Sequence, residues 1–194
     1  MNPVRVLGIG SPFAGDDLGW RLAEALERMG LLRYFPTGMV HINLCDRPGC
    51  LLLPAMRGAH LAILLDAMRS GARPGTVRRL DMLELDESTG LLSSHGFGVA
   101  EALALGRVLG DLPPRVLIYG IETGQAPSLP PLGDLVAILW PTIIDDIRVC
   151  GVEPERPSHV SSVSVTPFSP ANAHSIHGLS LSDKAFSSEH YPGK

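Results

Sequence analysis

The sequence predicts an α/β fold: a three-layer sandwich with a mostly parallel, twisted central sheet, helices on both faces and one antiparallel edge strand. Three observations predict it. Short apolar or β-rich runs alternate with segments of helical period along the first 150 or so residues. Two of those runs, His60 to Leu65 and Arg115 to Ile121, are nearly continuous in apolar residues, as strands buried on both faces must be. A third run, Thr76 to Leu85, instead alternates Val77, Leu80, Met82 and Leu83 with Arg78, Arg79, Asp81 and Glu84, the pattern of a strand at a sheet edge.

The elements follow in order. Arg5 to Ile9 is a first strand ending among Gly8 and Gly10. Asp17 to Met29 places Leu18, Leu22, Ala25, Leu26 and Met29 at helical spacing, and Gly30 stops it. Met39 to Leu44 reads as a second strand and Leu51 to Met56 as a short helix. After the buried third strand and the edge strand, His95 to Leu109 carries Val99, Leu103 and Val108 on one side of a helix. Pro113-Pro114 breaks the chain before the last strand. Leu132 to Val149 is a final helix, with a bend expected at Pro141. Right-handed crossovers then connect the parallel strands.

The domain is expected to span residues 1–152. From Glu153 to Lys194 the chain is rich in Ser, Pro and His without apolar period, and reads as a disordered tail. His159, His174, His177 and His190 lie there, but a metal site built from them would first have to order the chain that carries them.

Composition narrows the function. The 194 residues suffice for one sizeable core, so a monomer is expected. A net charge of -4 argues against nucleic acid or an anionic membrane as partner. Apolar runs are far too short to span a bilayer, and the N-terminus reads as a strand entry rather than a leader, so a cytoplasmic location is expected. The three cysteines, Cys45, Cys50 and Cys150, form no CxxC and suggest neither a disulfide scaffold nor a structural zinc site.

The segment Gly8-Ile9-Gly10-Ser11-Pro12-Phe13-Ala14-Gly15-Asp16-Asp17-Leu18-Gly19 follows a strand and opens a helix, where α/β proteins often hold phosphates. Phe13 stands where a dinucleotide fingerprint needs its third glycine. A phosphate loop built on Gly10 and Gly15 would place Asp16 and Asp17 where Lys and Ser or Thr belong, and two carboxylates repel phosphate. The acids can cap the helix and oppose its dipole, or one can cap while the other offers a hard oxygen ligand. Asp66 ends the buried run Leu61 to Leu65, at the crevice edge of a parallel sheet, unless it merely caps a turn or pairs with Arg69. His95 opens a helix after Ser93-Ser94, where the dipole favours neutral imidazole, the form that binds metal; a capping or surface histidine would look the same. The loop after strand one, the end of the central strand and the start of a later helix belong on one edge of the sheet. Asp17, Asp66 and His95 can therefore converge as an O,O,N site suited to zinc or nickel.

Four segments in order carry a family resemblance: the glycine loop ending in Asp16-Asp17-Leu18-Gly19, Leu64-Leu65-Asp66-Ala67, Ser94-His95-Gly96-Phe97-Gly98-Val99-Ala100-Glu101-Ala102-Leu103 and Ile118-Tyr119-Gly120-Ile121-Glu122. Over roughly residues 4 to 150 the chain resembles the nickel-iron hydrogenase maturation proteases. The resemblance implies an endopeptidase that removes a C-terminal extension from the nickel-loaded large-subunit precursor. It implies Asp17, Asp66 and His95 as the catalytic and metal-contacting residues, and nickel carried by the substrate rather than permanently bound. The chain departs from that pattern at Ser11, where the family usually has Asn, and at Asp46-Arg47-Pro48-Gly49, which replaces a Gly/Thr-rich turn. Neither H-E-x-x-H nor G-x-S-x-G occurs, which disfavours the common metalloprotease and serine hydrolase routes. The alternatives are another metal-dependent hydrolase on the same site, or a binding module whose acids only cap.

Overall fold

The structure is a computed structural model that describes residues 2–12, 16–46, 49–82, 98–124 and 129–155. Five strands form one sheet in the order β2-β1-β3-β5-β4: β1 Val4–Gly10, β2 Val40–Asp46, β3 Leu61–Met68, β4 Val77–Asp81 and β5 Arg115–Glu122. β1 pairs in parallel with β2 and β3, and β3 with β5, whereas β4 runs antiparallel to β5. This is the predicted class, including the antiparallel edge strand.

Burial explains the pattern. All eight residues of β3 are buried, as are the last seven of β5, so these strands need apolar side chains on both faces. On one face Val4, Val6, Ile63, Leu65, Leu117 and Tyr119 pack with α1 (Leu18–Arg28) and α5 (Leu132–Val149). On the other, Leu7, Leu64, Met68, Leu80 and Ile118 pack with α3 (Leu52–Met56) and α4 (Val99–Leu109). β4 buries only Leu80, in keeping with its charged alternation.

Helix boundaries are set by local chemistry. α1 ends where Gly30 takes a left-handed φ of 98°, and a one-turn helix α2 (Leu31–Tyr34), which the periodicity does not anticipate, follows directly. α4 starts at Val99, its Gly98 N–H donating to the Glu101 carboxylate at 2.9 Å; the earlier start expected at His95, and the Ser93-Ser94 cap, lie outside the described residues. α5 continues through Pro141, where the Thr142 hydroxyl donates to the carbonyls of Ile138 and Leu139. Val152 is buried against the first core, and the Glu155 N–H donates to the Tyr34 carbonyl. Of the tail expected from Glu153, residues 156–194 lie outside the described residues.

One buried polar cluster joins three elements. Asp146 of α5 accepts two bonds from Arg79 of β4, at 2.7 and 2.8 Å, and one from the Tyr119 hydroxyl of β5 at 2.5 Å; Arg115 stands 3.6 Å away. Burial alone would raise the Asp146 carboxyl, but the bonds from Arg79 and Tyr119 and the charges of Arg79 and Arg115 outweigh it and hold it below the ordinary carboxylate range. The Tyr119 hydroxyl is pushed well up, first by burial and then by its bond to the Asp146 carboxylate.

Candidate active site at the carboxyl edge of the sheet

Parallel strands β1, β3 and β5 all end on the same edge, and the site is built there. Gly19, in the first turn of α1, makes this possible. A Cβ on it would overlap the carbonyls of Ile9 and Leu65, so only glycine lets α1 press directly onto the ends of β1 and β3. Between β1 and α1 the Ser11 N–H donates to the Asp16 carbonyl at 2.7 Å. Trp20 closes its side: the indole N–H donates to the Cys45 carbonyl at 3.0 Å, tying α1 to the end of β2.

Asp66 occupies the sixth position of β3 and is 2% exposed. Its neighbours at alternate positions, Leu64 and Met68, belong to the core beneath α3 and α4, so its carboxyl faces that layer. The register pairs it with Gly120, whose missing side chain leaves the row beside it open except for the Met68 thioether. The backbone of Ala67 donates one bond to the carboxyl, but Oδ2 is buried with no hydrogen-bond partner among the described residues. Burial first, and then the charge of Asp16, raise this carboxyl to about 7. A carboxyl so placed can give or take a proton near neutrality, or offer a bare oxygen to a cation.

The two adjacent acids of the loop take different positions. Asp17 is the N-cap residue of α1, though its side chain makes no capping bond; it lies 3.8 Å from Arg21, one turn on, and is 44% exposed. Asp16, half-buried, is the acid whose charge acts on Asp66. Asp17 is the acid expected from sequence as the ligand, and Asp16 was given no role of its own there. His95 lies outside the described residues. Among the described residues no group of three or more His, Cys, Asp or Glu is arranged to hold a metal.

A second buried acid at this edge received no role from the sequence. Glu122, the last residue of β5, is 1% exposed and accepts bonds at 2.7 Å from both the N–H and the hydroxyl of Ser70, with further N–H donors from Gly124 and Ala72. Burial would raise it, yet these donors outweigh burial and lower it, so it is a fixed carboxylate that holds the loop after β3. The Cys45 thiol is raised by burial, and neither Cys45 nor Cys150 is in a disulfide.

Fold and site together define a mostly parallel α/β protein with a carboxylate site on the strand ends, where such sheets receive ligands. Comparison with known proteins narrows this class. The chain belongs to the hydrogenase maturation protease family, whose model matches residues 47–149. It is 32% identical over 124 residues to the hydrogenase expression/formation protein HupD of Thiocapsa roseopersicina, a match covering 61% of this chain and 53% of that protein. It therefore spans about half the length of that relative. The hydrogenase 2 maturation protease of Escherichia coli is 31% identical over 121 residues, covering 61% of this chain and 71% of that one. The solved structure of the hydrogenase maturating endopeptidase HybD from E. coli superposes with a TM-score of 0.64 at 27% identity, covering 78% of this chain and 96% of that chain.

Proposed function

We propose that this chain is the endopeptidase that removes a C-terminal extension from the nickel-loaded large-subunit precursor of a nickel-iron hydrogenase. The observation that carries the reading is the buried Oδ2 of Asp66, without a partner among the described residues and under the charge of Asp16, at the carboxyl edge of the sheet. A carboxylate left without donors in a dry site is costly unless a proton or a cation completes it. In this reading the cation is nickel, carried in as cargo of the substrate.

In this reading Asp17, the N-cap residue of α1, Asp66 and His95 form the O,O,N set assigned from sequence, and Asp16 is the neighbouring charge that acts on Asp66. A docked nickel ion would be met by carboxylate oxygens and one imidazole, ligand types suited to it. Hydrolysis needs a water at the scissile carbonyl carbon, a group to take its proton and a group to protonate the departing amine. Asp66 would do both in turn: as carboxylate it takes the proton of the attacking water, and as acid it returns it to the leaving nitrogen. Charge from the ion lowers the cost of ionising Asp66, so arrival of nickel-loaded substrate also switches the base on.

The protein works as a monomer in the cytoplasm, a setting that accords with its free thiols at Cys45 and Cys150. No helix among the described residues is long and apolar enough to cross a membrane. The test is mass spectrometry of the large-subunit precursor from the same organism, incubated with this protein with and without nickel. Loss of a C-terminal peptide only with nickel is expected. A precursor intact under both conditions overturns the reading.

A further inference from the structure

A sulfur atom stands in the row of Asp66. The register pairs Asp66 of β3 with Gly120 of β5. Val116 and Ile118, at alternate positions, fill this face of β5 with branched side chains, and Gly120 leaves the next place empty. Glycine weakens a strand interior, and it marks places where another group approaches closely. Here that group is the Met68 thioether: a Cβ at position 120 would lie 2.6 Å from Met68 Sδ and 3.4 Å from its Cγ.

Met68 and Asp66 are alternate residues of β3, so they share a face, and Met68 is 1% exposed. Met68 is itself the register partner of Glu122, so its side chain reaches back along the sheet, from its own row into that of Asp66. A gap that only needed filling could be filled by a branched side chain at 120. Glycine with a thioether over it instead sets a flexible, polarizable donor atom beside a carboxyl whose Oδ2 has no partner among the described residues. Adjacent rows of Cβ positions are about one strand spacing apart, roughly 4.8 Å. Metal bonds to oxygen and sulfur are roughly 2.0–2.3 Å long, so one ion can bridge carboxylate and thioether by side-chain rotation alone.

We propose that Met68 is the soft donor of the site, its thioether joining the Asp66 carboxylate on the nickel ion and setting the preference for nickel over magnesium. The inference rests on the endopeptidase reading, in which nickel arrives with the substrate. Carboxylate oxygens by themselves suit magnesium and manganese. Magnesium gives up its waters reluctantly, and a thioether beside the carboxylate offers those waters almost nothing. A later transition ion, less tied to oxygen, gains a bond from the sulfur.

The experiment grows the full chain with selenomethionine, removes metal, adds Ni2+ alone and records the nickel-edge X-ray absorption spectrum. A selenium atom bonded to nickel is expected. The chain has 6 methionines, so its loss in Met68→Leu assigns the signal, and its loss in Asp66→Asn ties it to the carboxylate. Leucine nearly keeps the volume and removes the donor; Met68→Leu is checked for an unchanged melting point. Calorimetric titration of the unlabelled chain should find Ni2+ roughly tenfold weaker on Met68→Leu than on the wild type, and Mg2+ far weaker than Ni2+ on the wild type. Nickel bound without a selenium neighbour, a signal that survives in Met68→Leu, equal affinity of the two chains for Ni2+, no nickel bound by the wild type, or Mg2+ bound as tightly as Ni2+ overturns the proposal. Nickel-dependent cleavage of the precursor is scored separately. A cleaved precursor without the nickel–selenium bond rejects only the soft donor, and the bond with an intact precursor rejects only the endopeptidase reading.

Discussion

Asp16 and Asp66 are coupled: the charge of the first, on the loop after β1, adds to the burial of the second, at the end of β3, and the Asp66 carboxyl rises to about 7. The next acid along, Asp17, is the N-cap residue of α1 and lies 3.8 Å from Arg21.

The coupling makes Asp66 a pH-dependent liability. Its folded-state pKa lies above the ordinary value of 3.8, so the folded chain holds a proton that the unfolded chain has lost. Stability therefore falls as pH rises from the unfolded value toward about 7, and the loss is complete above it. Asp66→Asn removes the ionisation. Urea denaturation should find the variant a few kcal/mol more stable than the wild type at about pH 9, with the gap nearly closed at about pH 4. An equal gap at both pH values contradicts the burial and charge argument.

The Asp146 cluster behaves in the opposite sense. Arg79 and Tyr119 hold the Asp146 carboxyl below its ordinary range, so its contribution is present above that range and is lost as acid protonates it through the lowered folded-state value. Asp146→Ala strands the Tyr119 hydroxyl and leaves the Arg79 guanidinium, 40% exposed, to water, at a cost of roughly 1–3 kcal/mol near neutrality. Thermal melts should show a large drop in Tm at neutral pH that narrows in strong acid, where the wild type loses the same interaction.

Glu122 fixes the loop that follows β3, and hydrogen exchange can read this residue by residue. In Glu122→Gln the Ser70 amide should exchange markedly faster, since an NH2 group can replace one acceptor oxygen and faces donors. Amides in the middle of β3, such as Ile63, should keep wild-type protection. Unchanged exchange at Ser70 contradicts the anchoring role.

These predictions depend on features that differ in how far the sequence disclosed them. The parallel sheet was legible because β3 and β5 are buried on both faces and so carry continuous apolar runs, while β4 alternates. Asp66 was legible as an acid ending such a run. Its orphaned oxygen was not, since that depends on what α3, α4 and Met68 exclude from its side of the sheet. The charge that Asp16 exerts on Asp66 was hidden because the two lie 50 residues apart in the chain. Glu122 and Asp146 were hidden because their partners lie 52 and 67 residues away in the chain. α2 is a single turn, too short to impose a period.

The measurement that tests the account most directly is the single-turnover cleavage rate of nickel-loaded precursor by the wild type, Asp66→Asn, Asp16→Asn and Asp17→Asn. The account predicts a loss of roughly a hundredfold or more for Asp66→Asn, a large loss for Asp17→Asn, and for Asp16→Asn a pH optimum moved downward. Wild-type cleavage by Asp66→Asn would contradict it.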